Sequence, residues 1–221
     1  MKEKSGYVLA TLGHTAAGKT TLSKFLFSIM DNIGGELKYI EEGKIKRVLV
    51  EDYSTKDSLN EELRNRAYKM AIDSVKDTIE QKNALIDASF HKYSRRKMLY
   101  DMMLLKEKST FLVWLYCFCP NVEKVKDRIN KRKDANNNNM IKVAENQVDS
   151  MEIYNHIIET FDLPSIEEVP SQINCAIISF NTDANTIVKI EKNSELVDLD
   201  LLVQKICENV TIQQIRWREM K

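Results

Sequence analysis

The stretch Gly13-His14-Thr15-Ala16-Ala17-Gly18-Lys19-Thr20 decides how the rest of this chain is read. It satisfies the spacing G-x-x-x-x-G-K-[ST] at all four fixed positions. Each residue type answers a physical need. The glycines let the backbone curl so that its N–H groups point at an anion. A helix beginning at the end of the loop turns its positive end toward the same anion. Lys19 reaches β- and γ-phosphates, and the Thr20 hydroxyl is a Mg²⁺ ligand. The pattern needs a strand before it and a helix after it. Tyr7 to Leu12 is a short apolar, partly β-branched run, and Leu22, Phe25, Leu26 and Ile29 recur at helical spacing after it. A glycine turn without a ligand would require neither.

The same alternation continues outward. A helix is predicted from Lys19 to Met30, stopped by Gly34-Gly35, and a second strand over Leu37–Ile40. A long helix follows over Ser58–Gln81, with Ser58 and Glu61 spaced as a capping box. Ala84–Asp87 reads as a third strand ending in a carboxylate, Ser94–Glu107 as a helix, and Phe111–Phe118 as a fourth strand. That strand is apolar on both faces, as a central parallel strand should be. Pro120 and Asn121 open a helix to about Lys133. The asparagine-rich Asp134–Asn139 reads as a loop or mobile segment. Glu145–Thr160 is helical in pattern, and Pro164 and Pro170 bracket an extended linker. Cys175–Phe180 gives a fifth strand, and Leu196–Val210 a late helix with a helical tail. Strands alternating with helices give an α/β fold of one domain, residues 1–221, whose five-stranded parallel sheet carries helices on both faces. Ligands of such sheets bind beyond the carboxyl ends of the strands.

Composition narrows the function. Lys plus Arg and Asp plus Glu both number 33, so the basic excess usual in nucleic-acid binders is absent. Cys117, Cys119, Cys175 and Cys207 match no zinc spacing, and His14, His91 and His156 are scattered. The cysteines read as free thiols of a reducing compartment. The polar start, Met1 to Gly6, does not read as a signal peptide, and the apolar run Phe111–Cys119 is too short to span a bilayer. A cytoplasmic protein without a membrane partner is the expectation.

The six glycines, Gly6, Gly13, Gly18, Gly34, Gly35 and Gly43, leave none after position 43. A D-x-x-G switch turn and a glycine-rich transporter signature are thereby excluded. N-K-x-D is missing, and Asp87 is followed by Ala88 rather than by the acidic partner of motor ATPases. What remains resembles the small P-loop kinases, the group that includes adenylylsulfate kinases, zeta toxins, polynucleotide kinases and the kinase acting on seryl-tRNA. Besides the loop, the resemblance rests on Ala84-Leu85-Ile86-Asp87-Ala88-Ser89-Phe90 followed by Ser94-Arg95-Arg96, on Pro120 with the helix carrying Arg128 and Arg132, and on Asn181-Thr182-Asp183 after the last strand.

That resemblance implies a P-loop NTPase fold with a small mobile lid at about 128–150, and an ATP-dependent kinase. Gly13 to Thr21 (Gly13, His14, Thr15, Ala16, Ala17, Gly18, Lys19, Thr20, Thr21) would bind nucleotide together with Asn181 and Thr182 near the adenine. Thr20 and Asp87 would serve Mg²⁺. Lys19, Asp87, Glu41, Glu42, Arg128 and Arg132 would form the catalytic set, the two arginines acting from the lid; a solvated charged helix end is the alternative. Asp87 would hold the Mg²⁺ water shell or take the acceptor's proton; a capping carboxylate is the alternative. Glu41-Glu42 departs from the Asp-then-Arg pattern of related kinases and also fits an exposed acidic turn. Arg95 or Arg96, and more weakly Arg64, would grip an anionic acceptor, or else lie on the surface. No catalytic role falls to His14. The acceptor implied is a small molecule of nucleoside, nucleotide, sugar or adenylylsulfate type. An RNA end, or nucleotide binding without transfer, are the alternatives.

Overall fold

The structure, a computed structural model, describes residues 6–32, 36–50, 60–106, 110–138 and 150–219. In chain order these form β1 (Gly6–Leu12), α1 (Lys19–Asn32), β2 (Leu37–Glu41), α2 (Glu42–Val48), α3 (Glu61–Thr78), β3 (Asn83–Asp87), α4 (Tyr93–Leu104), β4 (Thr110–Phe118), α5 (Val122–Asn138), α6 (Met151–Glu159), a 3₁₀ turn (Ile166–Glu168), β5 (Cys175–Asn181), β6 (Thr186–Lys192) and α7 (Val197–Glu219).

One sheet runs in the order β2-β3-β1-β4-β5-β6. The first five strands are parallel to their neighbours and β6 is antiparallel to β5, so the expected five-stranded sheet gains a sixth strand. From β1 the chain goes out to β2, fills β3 between them, then crosses to β4 on the other side. The order reverses at β1, and such a reversal opens a crevice at the carboxyl ends of the strands.

Pleating divides the core in two. Val8, Ala10 and Leu12 of β1 face α3 and α4, joining Tyr68, Ile72, Val75, Leu99 and Trp114. Leu9 faces the opposite layer, with Leu22, Leu26 and Met30 of α1 and Leu199, Val203 and Ile206 of α7. The four-residue spacing of Leu22, Leu26 and Met30 lays one apolar stripe of α1 on the sheet. Among the described residues no helix is long and apolar enough to cross a membrane.

Several sequence boundaries are corrected. The long helix starts at Glu61, capped by Asn60, whose side chain accepts the Leu63 N–H at 3.1 Å; Ser58, the expected cap, lies outside the described residues, as do Gly34 and Gly35. Glu42 is no exposed acidic turn: it is buried and opens α2 directly from β2. The helix with Arg128 and Arg132 continues to Asn138 instead of ending near Lys133. Asparagine costs only some tenths of a kcal/mol more than the better helix formers, and neither glycine nor proline interrupts the segment. Ser150 caps α6 by accepting the Ile153 N–H, and the remainder of the expected lid, residues 139–149, lies outside the described residues. The late helix and its tail are one element.

Candidate active site

The loop between β1 and α1 is built on positive backbone angles. Gly13 has φ +142° and Gly18 φ +91°. A Cβ on Gly13 would stand 2.0 Å from the Cys117 carbonyl oxygen, so β4 itself requires the glycine. Ala16 also sits at φ 57°, a conformation that costs about 1 kcal/mol for a residue with a side chain. The loop is pinned on several sides. The Gly13 N–H donates to the Ser89 carbonyl at 2.9 Å. Lys19 Nζ donates to the carbonyls of Gly13 and His14 at 3.1 and 2.7 Å, closing the ring.

His14 braces the loop. Its Nδ1 lies 2.8 Å from the Thr15 carbonyl and its Nε2 3.1 Å from the Cys119 N–H. These contacts fit one neutral tautomer, with Nδ1–H donating and Nε2 accepting. Burial, with Lys19 and Arg128 nearby, lowers its pKa to about 4. The ring also meets Tyr154 of α6 edge-on, at 5.3 Å between centroids.

Parallel register places Thr11, Asp87 and Glu41 side by side, Thr11 against Asp87 and Glu41 against Asp87, at the carboxyl edge of β1, β3 and β2. Asp87 is 4% exposed, and its two oxygens accept from Thr11 Oγ1 and Tyr39 Oη, both at 2.9 Å. Two neutral donors orient the carboxylate without cancelling its charge. The turn after β3 is held by Phe90 at φ 42°. Its N–H donates to Tyr68 Oη at 2.9 Å, its carbonyl accepts from Arg96 Nη1, and its ring packs between Tyr68 and Trp114.

A cleft, partly open to solvent, runs along this edge. At one end are residues 15–20 of the loop, with Asp87, Ala88 and Ser89. At the other are Glu41, Glu42, Lys46 and Arg47 of β2 and α2 and Arg64 of α3, and Ile153 and Ile157 line the cleft from α6. Arg132 lines it from α5. The structure thus brings together Lys19, Thr20, Glu41, Glu42, Asp87, Arg64 and Arg132.

Other expected residues stand elsewhere. Arg95 and Arg96 do not reach the cleft as grips for an acceptor, nor do they lie on the surface; they are 1% and 0% exposed. Arg95 donates to Glu61 at 2.6 Å, while Arg96 makes a two-pronged pair with Glu168 and donates to the Phe90 and Asp162 carbonyls. Guanidinium groups on a helix that leads away from the strand edge are captured by acids of neighbouring elements. Arg128 does not line the cleft as a lid arginine: it donates to the Ala16 carbonyl and to both oxygens of Thr182, lashing the loop to the β5–β6 turn. Thr182 abuts Gly18, where an added Cβ would meet its Cγ2 at 3.2 Å. Asn181 turns its carboxamide oxygen to the N–H groups of Asp183 and Ala184. Thr21 is exposed.

Lys46, Arg47, Ile153 and Ile157 join the cleft in addition to the expected residues. Lys46 and Arg47 lie on α2, which opens without a linker after β2. The isoleucines recur four apart on α6, a spacing that by itself signals only packing.

The donors suit Mg²⁺. Thr20 and Asp87 offer hard oxygens at the cleft, and no three His, Cys, Asp or Glu among the described residues form a metal cage of their own. Mg²⁺ is ordinarily held this way, by one or two protein oxygens with substrate phosphates and water.

Fold, loop and strand-edge carboxylate together define a P-loop kinase-like α/β architecture. Solved structures agree. The chain is similar to Kti12 of Chaetomium thermophilum in complex with ADP-AlF3, with a TM-score of 0.54, 16% identity, and coverage of 78% of this chain and 88% of that one. It is similar to a candidate kinase from Chloroflexus aurantiacus (TM-score 0.57, 14% identity, coverage 95% and 98%). It is also similar to a fungal RNA kinase (TM-score 0.51, 14% identity, coverage 96% and 84%). No protein-family model and no curated protein matches the sequence.

Proposed function

We propose that the protein is a Mg²⁺- and ATP-dependent phosphotransferase that moves the γ-phosphoryl group to a small-molecule acceptor. One observation carries this reading: a single cleft joins the phosphate-binding loop to a second compartment lined by Glu41, Glu42, Lys46, Arg47 and Arg64, with Asp87 at the junction. Phosphoryl transfer asks a protein chiefly for positioning and charge neutralisation, and the two compartments supply both. The loop N–H groups and Lys19 hold the β- and γ-phosphates. Asp87 takes the proton of the acceptor hydroxyl or orients that hydroxyl through water. Glu41 and Glu42 accept further hydroxyls of the acceptor, and Arg132 adds charge from α5. Thr20 and Asp87 would hold the metal, which supplies neutralisation of the phosphate oxygens. A Kti12 structure that holds ADP-AlF3 supports the nucleotide half of the reading.

An RNA end as acceptor is the second reading, favoured by the similarity to the fungal RNA kinase. The site speaks for the smaller acceptor, because Arg95 and Arg96, which would extend a basic track, are buried in internal pairs.

The test is ADP release from Mg²⁺-ATP with a metabolite panel and with 5′-hydroxyl oligoribonucleotides. Stimulation by a small hydroxylated acceptor, lost in Lys19→Ala, is expected. Stimulation by the oligonucleotides alone selects the second reading. Tight ATP binding without turnover on any acceptor rejects both.

A further inference from the structure

The second compartment has an unsatisfied guanidinium at its wall. Arg64 is 4% exposed and lines the cleft, yet its Nη1 makes no hydrogen bond among the described residues; the carboxylate paired with it there, Glu61, stands 3.6 Å away. Among the described residues its Nη2 meets only His91 Nε2, at a marginal 3.5 Å. His91 is itself crowded by Arg95, whose Nη1 lies 3.3 Å from both ring nitrogens and whose Nε has no hydrogen-bond partner among the described residues. The ring is held neutral by burial and by Arg95, Arg64 and Lys92 around it. A neutral imidazole offers one acceptor nitrogen, so it cannot satisfy two guanidinium groups.

Carboxylates do not fill the deficit. Glu61 is shared among Lys92, Arg95 and Arg64. Glu41 pairs with Lys44 and Arg47 and Glu42 faces Lys46 at 3.9 Å, while Glu41 Oε2 and Glu42 Oε1 are buried without a hydrogen bond among the described residues and are open to hydroxyl donors. Buried guanidinium N–H groups without acceptors cost stability that a bound oxyanion would return. A planar fork at a cleft wall suits such an anion.

We propose that the acceptor is a small organic oxyanion, a phosphate, sulfate or carboxylate compound that also bears a hydroxyl, and that Arg64 binds its anionic group. This rests on the two-compartment reading above. Arg64 donates to the anion, Glu41 and Glu42 accept the hydroxyls, and the reacting hydroxyl lies toward Asp87.

The test uses the whole chain with its first compartment filled by a non-hydrolysable ATP analogue and Mg²⁺. Melting temperature is then followed against inorganic phosphate and sulfate, with chloride at equal ionic strength as control. The wild type is expected to show a saturating rise with both oxyanions. Arg64→Lys keeps the charge but loses the fork, and should need at least tenfold more oxyanion for the same rise. Its unchanged shift with the ATP analogue reports that it is folded. A second measurement needs no variant. Matched pairs such as a nucleoside monophosphate and its nucleoside, or a sugar phosphate and its sugar, are added to the analogue-loaded wild type. Only the anionic member of each pair should raise the melting temperature.

Equal responses of wild type and Arg64→Lys, no saturating response at all, or better binding of the neutral members overturn the proposal. A 5′-phosphorylated oligoribonucleotide that shifts the protein where mononucleotides do not also overturns it, in favour of a polymer. Absence of the first shift, with the ATP analogue alone, instead rejects nucleotide binding, so the two failures are separable.

Discussion

His14 Nε2 accepts the backbone N–H of Cys119 at 3.1 Å, fastening the phosphate-binding loop to the residue after β4. The bond requires an unprotonated Nε2, and the folded chain holds the pKa near 4, below the usual 6.5. Protons therefore bind this histidine more readily in the unfolded chain. Its contribution to stability is complete above pH 6.5 and is lost as pH falls from there to about 4. The loss approaches about 3 kcal/mol, because each tenfold change in proton affinity is worth roughly 1.4 kcal/mol. Buried His91 acts in the same direction. Urea unfolding from about pH 4.5 to about pH 7 should show stability falling with acid, and His14→Ala should flatten that slope by about one proton. Identical slopes would mean that His14 is not held neutral.

Asp87 is aligned by two hydroxyl donors, Thr11 and Tyr39. Asp87→Asn keeps nearly the same shape but removes the charge. A group that moves or orients a proton contributes about 10²- to 10⁴-fold. We expect turnover with Mg²⁺-ATP to fall by at least about 100-fold, while the melting shift with nucleotide falls far less. Tyr39→Phe and Thr11→Val remove one donor each and should act more weakly. Near-normal turnover in Asp87→Asn would leave the carboxylate with a merely structural role.

Gly13 is fixed by a carbonyl rather than by flexibility. At φ +142°, any Cβ there runs into the Cys117 oxygen 2.0 Å away. Gly13→Ala must displace the loop or β4, and the loop lines the cleft. A stability loss of at least about 2 kcal/mol is expected, from backbone strain of about 1–3 kcal/mol plus the clash, with loss of the ATP-dependent melting shift. A variant that melts and binds normally would show that the loop relaxes freely.

The loop and its strand and helix are legible in the sequence because each fixed residue answers a local requirement. Asp87 is legible for the same reason, as a carboxylate closing an apolar strand. The partners of Arg95 and Arg96 are not, because Glu61 and Glu168 lie 34 and 72 residues away and come near only through packing. Strand β6 carries little sequence signal because it is a half-solvated edge: Val188 and Ile190 stay exposed, so the period-two contrast of a buried face is missing. Helix α2 is masked by Gly43, which reads as a turn but sits in its first turn. The grouping of Thr11, Glu41 and Asp87 depends on strand register, which apolar runs on both faces leave unspecified.

The Arg96–Glu168 pair tests whether a buried ion pair supports the cleft at a distance. Arg96 Nη2 and Nε reach the two Glu168 oxygens at 2.9 and 2.5 Å, and Tyr100 Oη donates to the same carboxylate at 2.9 Å. The guanidinium also donates to the Phe90 carbonyl, in the turn that presents Ala88 and Ser89 to the cleft. Glu168→Gln removes the charge from the partner of a fully buried arginine, and breaking such a pair costs about 3–5 kcal/mol. Arg96→Met deletes the cation but also leaves the Phe90 and Asp162 carbonyls without their donor. The double variant should be less destabilised than the sum of the two, by about 1–3 kcal/mol as for groups in direct contact. It should still bind the ATP analogue more weakly than wild type, since the turn after β3 is held by Arg96 and the Gly13 N–H bonds to Ser89 within it. Additive losses in urea unfolding would show that Arg96 and Glu168 act independently. Unchanged nucleotide affinity in the double variant would show that the turn keeps its shape without the arginine, held by Tyr68 and the packing of Phe90 alone.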